Sequence, residues 1–585
     1  MRPETELYMK FRLSEVYQPK IVSIMKSGHY NRQTLLQDLG AGIIVGIVAL
    51  PLAIAFGIAS GVTPQQGLIT SVIAGFLISL LGGTRFLIGG PTGAFIVIVA
   101  GIIQQYGFDG LLIATLMAGV ILIAMGLCKL GIVFKFIPYP IVVGFTSGIA
   151  VTLFSTQMKD FFGFTMDVPS GFIPQWICYI QNIANINWIE VTASCASLAV
   201  IILWDRIIKK IPGSLAGIIL CTGISLVLAR YAGVNLATIG TKFPEISGGM
   251  AFPSPKLPIV SFQTLRGLIN PALTIALLAA IESLLAATVT DGVTGKHHDS
   301  NAELIGEGVA NIVSPIFGGI PATGAIARTM ANINNGGRTP VAGIVHSLTL
   351  LLIYLFLMPY AVYIPLSCLA AILIVVSYRM GEWRTFKYLL KGDKPSIAVL
   401  LATFLLTVII DLTVAIEFGL ILAIVLFVRR VMQTSSIEVI KDNMVAASES
   451  QEYNPDDTEM LDIPEGVEVY EINGPFFFGL ANKFEEFDER IHKGAKVRIL
   501  RMRQVPFIDA TGINNLSHLC DRMQKRGVRV ILSGVTPEVR KTLTDFGLDK
   551  VIGNEYILPH ITPALAKARE VLAGKHDVRN GKKSL

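Results

Sequence analysis

The sequence predicts an α-helical polytopic membrane protein built from two seven-segment halves in inverted repeat, followed by a small α/β domain. Three observations carry this. Of 585 residues 52% are hydrophobic and 15% charged, with a mean hydropathy of +0.61, too apolar for a soluble chain of this size. Apolar runs of spanning length recur from Leu39 to Arg429. A glycine-proline motif occurs twice, at equivalent places of the two halves.

Residues 1–37, with Lys10, Arg12, Lys20, Lys26 and Arg32, form a basic arm without the apolar core of a signal peptide. The transmembrane domain is expected over residues 38–431. Its segments are expected at about 39–59, 64–82, 91–104, 109–127, 132–157, 188–205, 212–230, 270–290, 303–314, 322–335, 340–359, 363–378, 396–411 and 413–429. Those at about 91–104, 303–314, 322–335 and 363–378 are shorter than the roughly 20 residues a crossing helix needs, and such segments point to binding sites. With the N-terminus inside, Arg85, Lys129, Lys135, Arg206, Lys209, Lys210, Lys296, Arg338, and Arg379 to Lys394 fall on the cytoplasmic side. The outer loops hold fewer, Lys159 at a span edge, Arg230, Lys242, Lys256 and Arg266, and the outer loop at 160–187 has Asp160 and Asp167 and no basic residue. Fourteen segments thus obey the positive-inside rule and return the C-terminus to the cytoplasm. The expected location is the cytoplasmic (inner) membrane, with lipid bilayer as its setting.

Gly89-Gly90-Pro91-Thr92-Gly93-Ala94 opens the third segment, and Gly318-Gly319-Ile320-Pro321-Ala322-Thr323-Gly324-Ala325 opens the tenth. Their separation by seven, an odd number, makes the repeat inverted, so two short helices point their N-termini at each other. Each N-terminus exposes unpaired N–H groups and about half a positive charge, and two facing one cavity make an anion site. Glycine at 93 and 324 lets a ligand approach the backbone, and Thr92 and Thr323 can cap or donate a hydroxyl. Arg328, four residues past Gly324, adds a fixed positive charge, with Ala325, Ile326 and Ala327 between them. Glu282 stands as a lone carboxylate about three turns into a helix expected to start with Asn270 as cap and Pro271 at the first position. Ala279, Ser283 and Ala286 flank it with small side chains. A carboxyl set in a span suits reversible protonation, and a proton is the expected coupling ion. This constellation describes a transporter of small anions, not an enzyme, and needs no metal, cofactor or nucleic acid.

The remaining groups have plainer readings. Asp411, Glu417 and Asp291 are expected at span ends. His297-His298-Asp299 is expected in a hydrophilic loop. The six cysteines show no paired spacing. Residues 432–465, acidic at Asp456, Asp457 and Glu459, form a linker. Residues 466–575 alternate β-rich runs (Val467–Ile472, Lys496–Arg501, Val528–Leu532) with helical patterns (Gly512–Arg526, Pro537–Phe546, Pro563–Leu572), an α/β domain. Asp509 can cap the helix that follows it, Gly512 permits close packing, and Thr511 could accept phosphate. Residues 576–585 are a basic tail.

On these residues the chain resembles the SulP family of anion transporters, bacterial relatives of the mammalian SLC26 proteins. The resemblance rests on Ala49-Leu50-Pro51-Leu52-Ala53-Ile54-Ala55-Phe56, Gly90-Pro91, Asn301-Ala302-Glu303-Leu304-Ile305-Gly306-Glu307-Gly308 with Asn311, Ala327-Arg328, and a STAS domain around Asp509–Gly512. It implies a mobile core (segments 1–4 and 8–11), a gate (5–7 and 12–14), an elevator movement, frequent homodimers, and a substrate site between the third and tenth helices with Phe56 as a wall. A cytoplasmic partner of the STAS domain is also expected. The run from Ala280 to His346 is most similar to the branch with the enterobacterial C4-dicarboxylate transporter. It implies proton-coupled symport of succinate and fumarate, with sulfate or bicarbonate transport, or uncoupled anion exchange, as the alternative. Departures are Leu52 and Ala327, where many relatives carry glutamine and serine, and Ala510, where anti-sigma-factor antagonists carry their phosphorylated serine.

Overall fold

The computed structural model describes residues 17–26, 30–132, 138–169, 171–207, 212–244, 253–256, 262–410, ten residues or so scattered through 414–429, 436–440, 444–445, 460–461, 463–477 and 495–574. The chain divides into two compact units, Met1–Ala423 and Ile424–Leu585.

The first unit is helical. In order it holds α1 (Lys20–Lys26), α2 (Arg32–Ala59), α3 (Pro64–Leu81), β1 (Gly89–Gly90), α4 (Phe95–Leu127), α5 (Tyr139–Phe162), α6 (Phe172–Gln181), α7 (Trp188–Ile207), α8 (Gly213–Ala232) and α9 (Ile239–Lys242). There follow α10 (Phe262–Gly267), α11 (Ile269–Thr294), α12 (Ser300–Ile316), β2 (Thr323–Gly324), α13 (Ile326–Asn334), α14 (Val341–Leu357), α15 (Leu366–Met380), α16 (Trp383–Leu389) and α17 (Lys394–Ile409). Among the described residues eight helices are long and apolar enough to cross a membrane, with shorter apolar helices at Trp188–Trp204 and Lys394–Ile409. The segment expected at 413–429, with Asp411 and Glu417, lies largely outside the described residues, as do the acidic linker positions and the basic tail.

Local chemistry explains the helix starts. Asn31 caps α2 by accepting from Thr34 N at 2.8 Å. Thr63 and Gln66 form a reciprocal capping box at α3, with Pro64 in the first turn. The runs expected at 91–104 and 109–127 are two helices that meet within α4 at Gly107, whose φ of 73° and ψ of −179° end the first hydrogen-bond ladder. One expectation is corrected. Asn270 is not the cap of α11. That helix already starts at Ile269, with Leu268 in the cap position and no side-chain cap, because α10 runs almost directly into it and leaves no extended residue at 270. The polar connections also hold helices that apolar periodicity does not announce, among them α6 inside the loop at 160–187.

The helices form two packing groups. One joins α2, α3, α4, α11, α12 and α14; the other joins α5, α7, α8, α15 and α17. Small residues set the spacing in the first. At the crossing of α4 and α12, a Cβ built on Gly119 would lie 2.6 Å from the Gly308 carbonyl oxygen, and one on Gly308 2.7 Å from the Gly119 oxygen. Backbone stands on both sides, so neither clash is relieved by a side-chain rotation. Gly308→Val is therefore expected to cost at least the roughly 1–3 kcal/mol typical of overpacking. The check is the thermal midpoint of purified protein in detergent, which should fall by several degrees; an unchanged midpoint would mean that the crossing is looser than described.

In the second unit, β6 (Val467–Asn473), β7 (Val497–Gln504), β8 (Arg529–Ser533) and β9 (Ile557–Leu558) pair in parallel in that order, and β3 (Ser436–Ile440) adds antiparallel to β6. A separate pair joins β4 (Met444–Val445) and β5 (Met460–Leu461). Among the described residues the unit also holds helices α18 (Ala510–Lys525), α19 (Pro537–Asp545), α20 (Leu548–Ile552) and α21 (Ile561–Leu572). Its core joins Val469, Ile499 and Ile531 of the sheet to Leu516, Leu543 and Leu565 of the helices. Burial pushes the Cys520 thiol in this core up to about 12, so it stays protonated and inert at neutral pH.

Candidate functional site

The two repeated motifs meet. β1 and β2 pair antiparallel, Gly89 opposite Gly324 and Gly90 opposite Thr323. Ala325 N donates to the Ile88 carbonyl at 2.9 Å, and Ile88 N donates to Thr329 Oγ1 at 3.1 Å. From this clasp α4 and α13 start a few residues on, and neither start has a side-chain cap. Two uncapped helix N-termini thus converge on one place.

Arg328, in the first turn of α13, is 2% exposed. Its guanidinium donates to the Pro91 carbonyl at 3.2 Å and lies 3.5 Å from Ser71 Oγ. It passes so close to Gly90 that a Cβ there would collide with Nη1. No carboxylate pairs with it among the described residues. Its charge therefore stays uncompensated beside Pro91-Thr92-Gly93, though the side chain is turned into the protein. Gly93 is buried, and its open side faces both packing groups. A Cβ there would be 3.3 Å from Leu153 of α5, 3.4 Å from Met380 of α15 and 3.5 Å from Phe56 of α2. Phe56, 6% exposed, packs from the first group. Ala94 is buried, Thr92, Ala325 and Ile326 are half-buried, and Ala327 is exposed.

Of the two roles open to the threonines, capping or donating a hydroxyl, both take the second, because α11 engages both hydroxyls. Thr92 Oγ1 donates to Glu282 Oε2 at 2.8 Å. Thr323 Oγ1 donates to the Ala279 carbonyl at 3.0 Å and lies 2.9 Å from Ser283 Oγ, which accepts from Gly324 N at 2.7 Å. One stretch of α11 thus holds both loops, with half-buried Glu282 tied to one and Ser283 to the other.

Glu282 is also not alone. Glu303 and Glu307, one turn apart on α12, are fully buried. Thr84 Oγ1 donates to Glu303 Oε2, and Glu307 reaches toward the hydroxyls of Ser283 and Thr323 without a hydrogen bond of ordinary length. His346 of α14 is buried near Arg328 with neither ring nitrogen hydrogen-bonded. The available signal was two carboxylates at i and i+4 in a short apolar segment, one face of a helix.

His298 and Asp291 form a local clasp, Nδ1 to Oδ2 at 2.7 Å, with Ser300 Oγ 2.9 Å from Nε2. Asp299 caps α12 by accepting from Asn301 N and Ala302 N at 3.0 Å. In the second unit Asp509 caps α18, accepting from Gly512 N at 2.7 Å, and Gly512 packs against the Phe476 carbonyl. Thr511 is exposed in the first turn.

Comparison with known proteins agrees with this architecture. The sulfate permease family profile matches residues 35–403, and the STAS domain profile matches residues 460–568. The chain is 39% identical over 533 residues to the putative sulfate transporter YvdB of Bacillus subtilis, covering 91% of this chain and 97% of that protein. It is 30% identical over 548 residues to the bicarbonate transporter BicA of Picosynechococcus sp., covering 91% and 94%. The murine Solute Carrier 26 family member A9 anion transporter superposes with a TM-score of 0.82 at 19% identity, covering 97% of each chain, a likeness of fold. These relatives are transporters and not enzymes. The chain belongs to the sulfate permease (SulP/SLC26) family of anion transporters, with a C-terminal STAS domain.

Proposed function

We propose that this transporter moves a small oxyanion across the cytoplasmic membrane together with a proton. The anion is held between the starts of α4 and α13. Backbone groups at Gly93 and Ala94 and at Ile326 and Ala327 face it; Thr92, Thr323, Gly324 and Ala325, whose donors are engaged by α11 and by Ile88, shape the loops around it; Phe56 forms a wall, and Arg328 supplies the charge. The observation that carries this reading is Arg328, a buried guanidinium with no carboxylate partner among the described residues, at the meeting point of two uncapped helix N-termini. Such an arrangement is costly unless an anion completes it. Glu282 is the coupling carboxyl, one hydrogen bond from the substrate loop. The first packing group slides as a core against the second in an elevator movement, in a homodimer with both termini cytoplasmic. The STAS domain regulates transport, with Asp509 setting the helix start and Thr511 as phosphoacceptor.

Inorganic oxyanions come first as substrates, because the relatives that match over nearly the whole chain are named for sulfate and bicarbonate. Four-carbon dicarboxylates come second, on the resemblance of the run from Ala280 to His346. The test is uptake of labelled sulfate, bicarbonate and succinate into proteoliposomes, with and without an inward proton gradient. Gradient-driven sulfate or bicarbonate uptake is the expected result. Succinate uptake competed by fumarate would move the substrate to the dicarboxylates and keep the site. Uptake indifferent to the gradient would remove the proton.

A further inference from the structure

We propose that a cavity of about 120 Å³, one helical turn outward from the site, is a loading station for anions arriving from the external face. It rests on the anion-transport reading above and adds a second place where the anion stops. The cavity is walled by the last turn of α2 and by α5, α9 and α15, with Ala59, Gln157, Lys159, Asp160, Lys242 and Leu373 among its lining. Ala59 follows the site wall Phe56 by three residues on α2, and Gln157 follows Leu153 by four on α5, a rise of about 5–6 Å along either helix. The cavity thus continues the seam between the two packing groups, toward the membrane face remote from the start of α2.

Its charges form a competition. Lys242 Nζ lies 3.6 Å from Asp160 Oδ2, with side-chain exposures of 38% and 26%. A pair this long and this open is weak. Lys159 is half-buried in the same lining and makes no ion pair among the described residues. Two ammonium groups therefore face one carboxylate, and that carboxylate is held too loosely to keep out a soluble oxyanion. Gln157, 4% exposed, donates to Thr156 Oγ1 at 2.9 Å and adds an uncharged polar lining. Asp160 occupies Lys242 until an anion displaces it, which sets the external affinity.

Kinetics of labelled sulfate and bicarbonate entering proteoliposomes of known orientation test this. Lys242→Gln is expected to raise the external KM at least about threefold with the maximal rate unchanged, since about 0.7 kcal/mol of attraction is lost. Asp160→Asn is expected to lower KM about twofold or more, because it removes the competitor. Both changes break the same ion pair, so a merely structural latch moves KM in one direction for both, and that outcome overturns the proposal. A second measurement does not depend on transport. Thr156→Cys is labelled from outside with impermeant methanethiosulfonates, one carrying a sulfonate and one a trimethylammonium, and the adduct at residue 156 is quantified by mass spectrometry. The sulfonate is expected to react faster relative to the cation, the ratio falling with Lys242→Gln and rising with Asp160→Asn. No labelling from outside, or a ratio indifferent to both changes, overturns the station. If neither anion is transported but the ratio behaves as expected, the substrate reading fails and the station stands.

Discussion

Arg328→Gln is expected to cut anion uptake by at least about 30-fold, because removing one buried hydrogen-bonded charge costs about 2–5 kcal/mol and 1.4 kcal/mol is a factor of ten. Two losses add. The positive charge beside Thr92-Gly93 disappears, and the Pro91 carbonyl loses the guanidinium that holds it at 3.2 Å, so the substrate loop is released as well. Arg328→Lys separates the two. It keeps the charge but not the planar fork that reaches Pro91 and Ser71 together, so intermediate uptake with a raised KM is expected. The measurement is initial uptake in proteoliposomes at matched protein density, with the elution profile in detergent as the check on folding. Arg328→Gln protein that elutes normally and transports within twofold of the unsubstituted protein would place the anion elsewhere.

Arg328 also shows what could be read without coordinates. A guanidinium inside an apolar run, four residues past the glycine of Thr-Gly-Ala, stands out because its cost in a membrane demands a purpose. The matched motifs at Gly89 and Gly318 betray the repeat because glycine, proline and threonine in fixed order have few structural alternatives. The STAS strands show through their β-branched runs. What stayed hidden depends on partners far apart in the chain. A two-residue strand such as Gly89–Gly90 carries no periodicity, so its pairing with Thr323–Gly324 had no signal. Thr92 and Thr323 look like caps because capping is local, whereas their actual partners on α11 lie 190 and 40–44 residues away. Glu307 sits in a glycine- and alanine-rich helix where its burial follows from the packing of α3, α4 and α11 around it. The pair of Lys242 with Asp160 joins two stretches that hydropathy assigns to separate loops.

The second large effect concerns coupling. Glu282→Gln is expected to abolish accumulation driven by an inward proton gradient while exchange of labelled for unlabelled anion at equal pH stays within about threefold. The glutamine amide has nearly the shape of the carboxyl, and its oxygen can still accept the Thr92 hydroxyl that Glu282 Oε2 accepts at 2.8 Å, so the loop stays tied and the anion still binds. What is lost is the change of state. An ionised Glu282 is acceptor-only and negative, opposing an incoming anion; the acid form is neutral and can donate. Because Ala279 and Ser283 of the same helix hold the other loop through Thr323 and Gly324, a proton on Glu282 alters one of two ties from α11 and leaves the other in place. Anion binding and proton binding then favour each other by charge alone, and by reciprocity each raises the affinity for the other. Thr92→Val is the companion variant: it keeps the titrating carboxyl but removes the tie, so gradient dependence should persist with a raised KM. Gradient-driven accumulation surviving in Glu282→Gln would take the coupling role from Glu282 and turn attention to the buried carboxyls of Glu303 and Glu307. Loss of exchange together with accumulation would instead make Glu282 part of the binding surface itself.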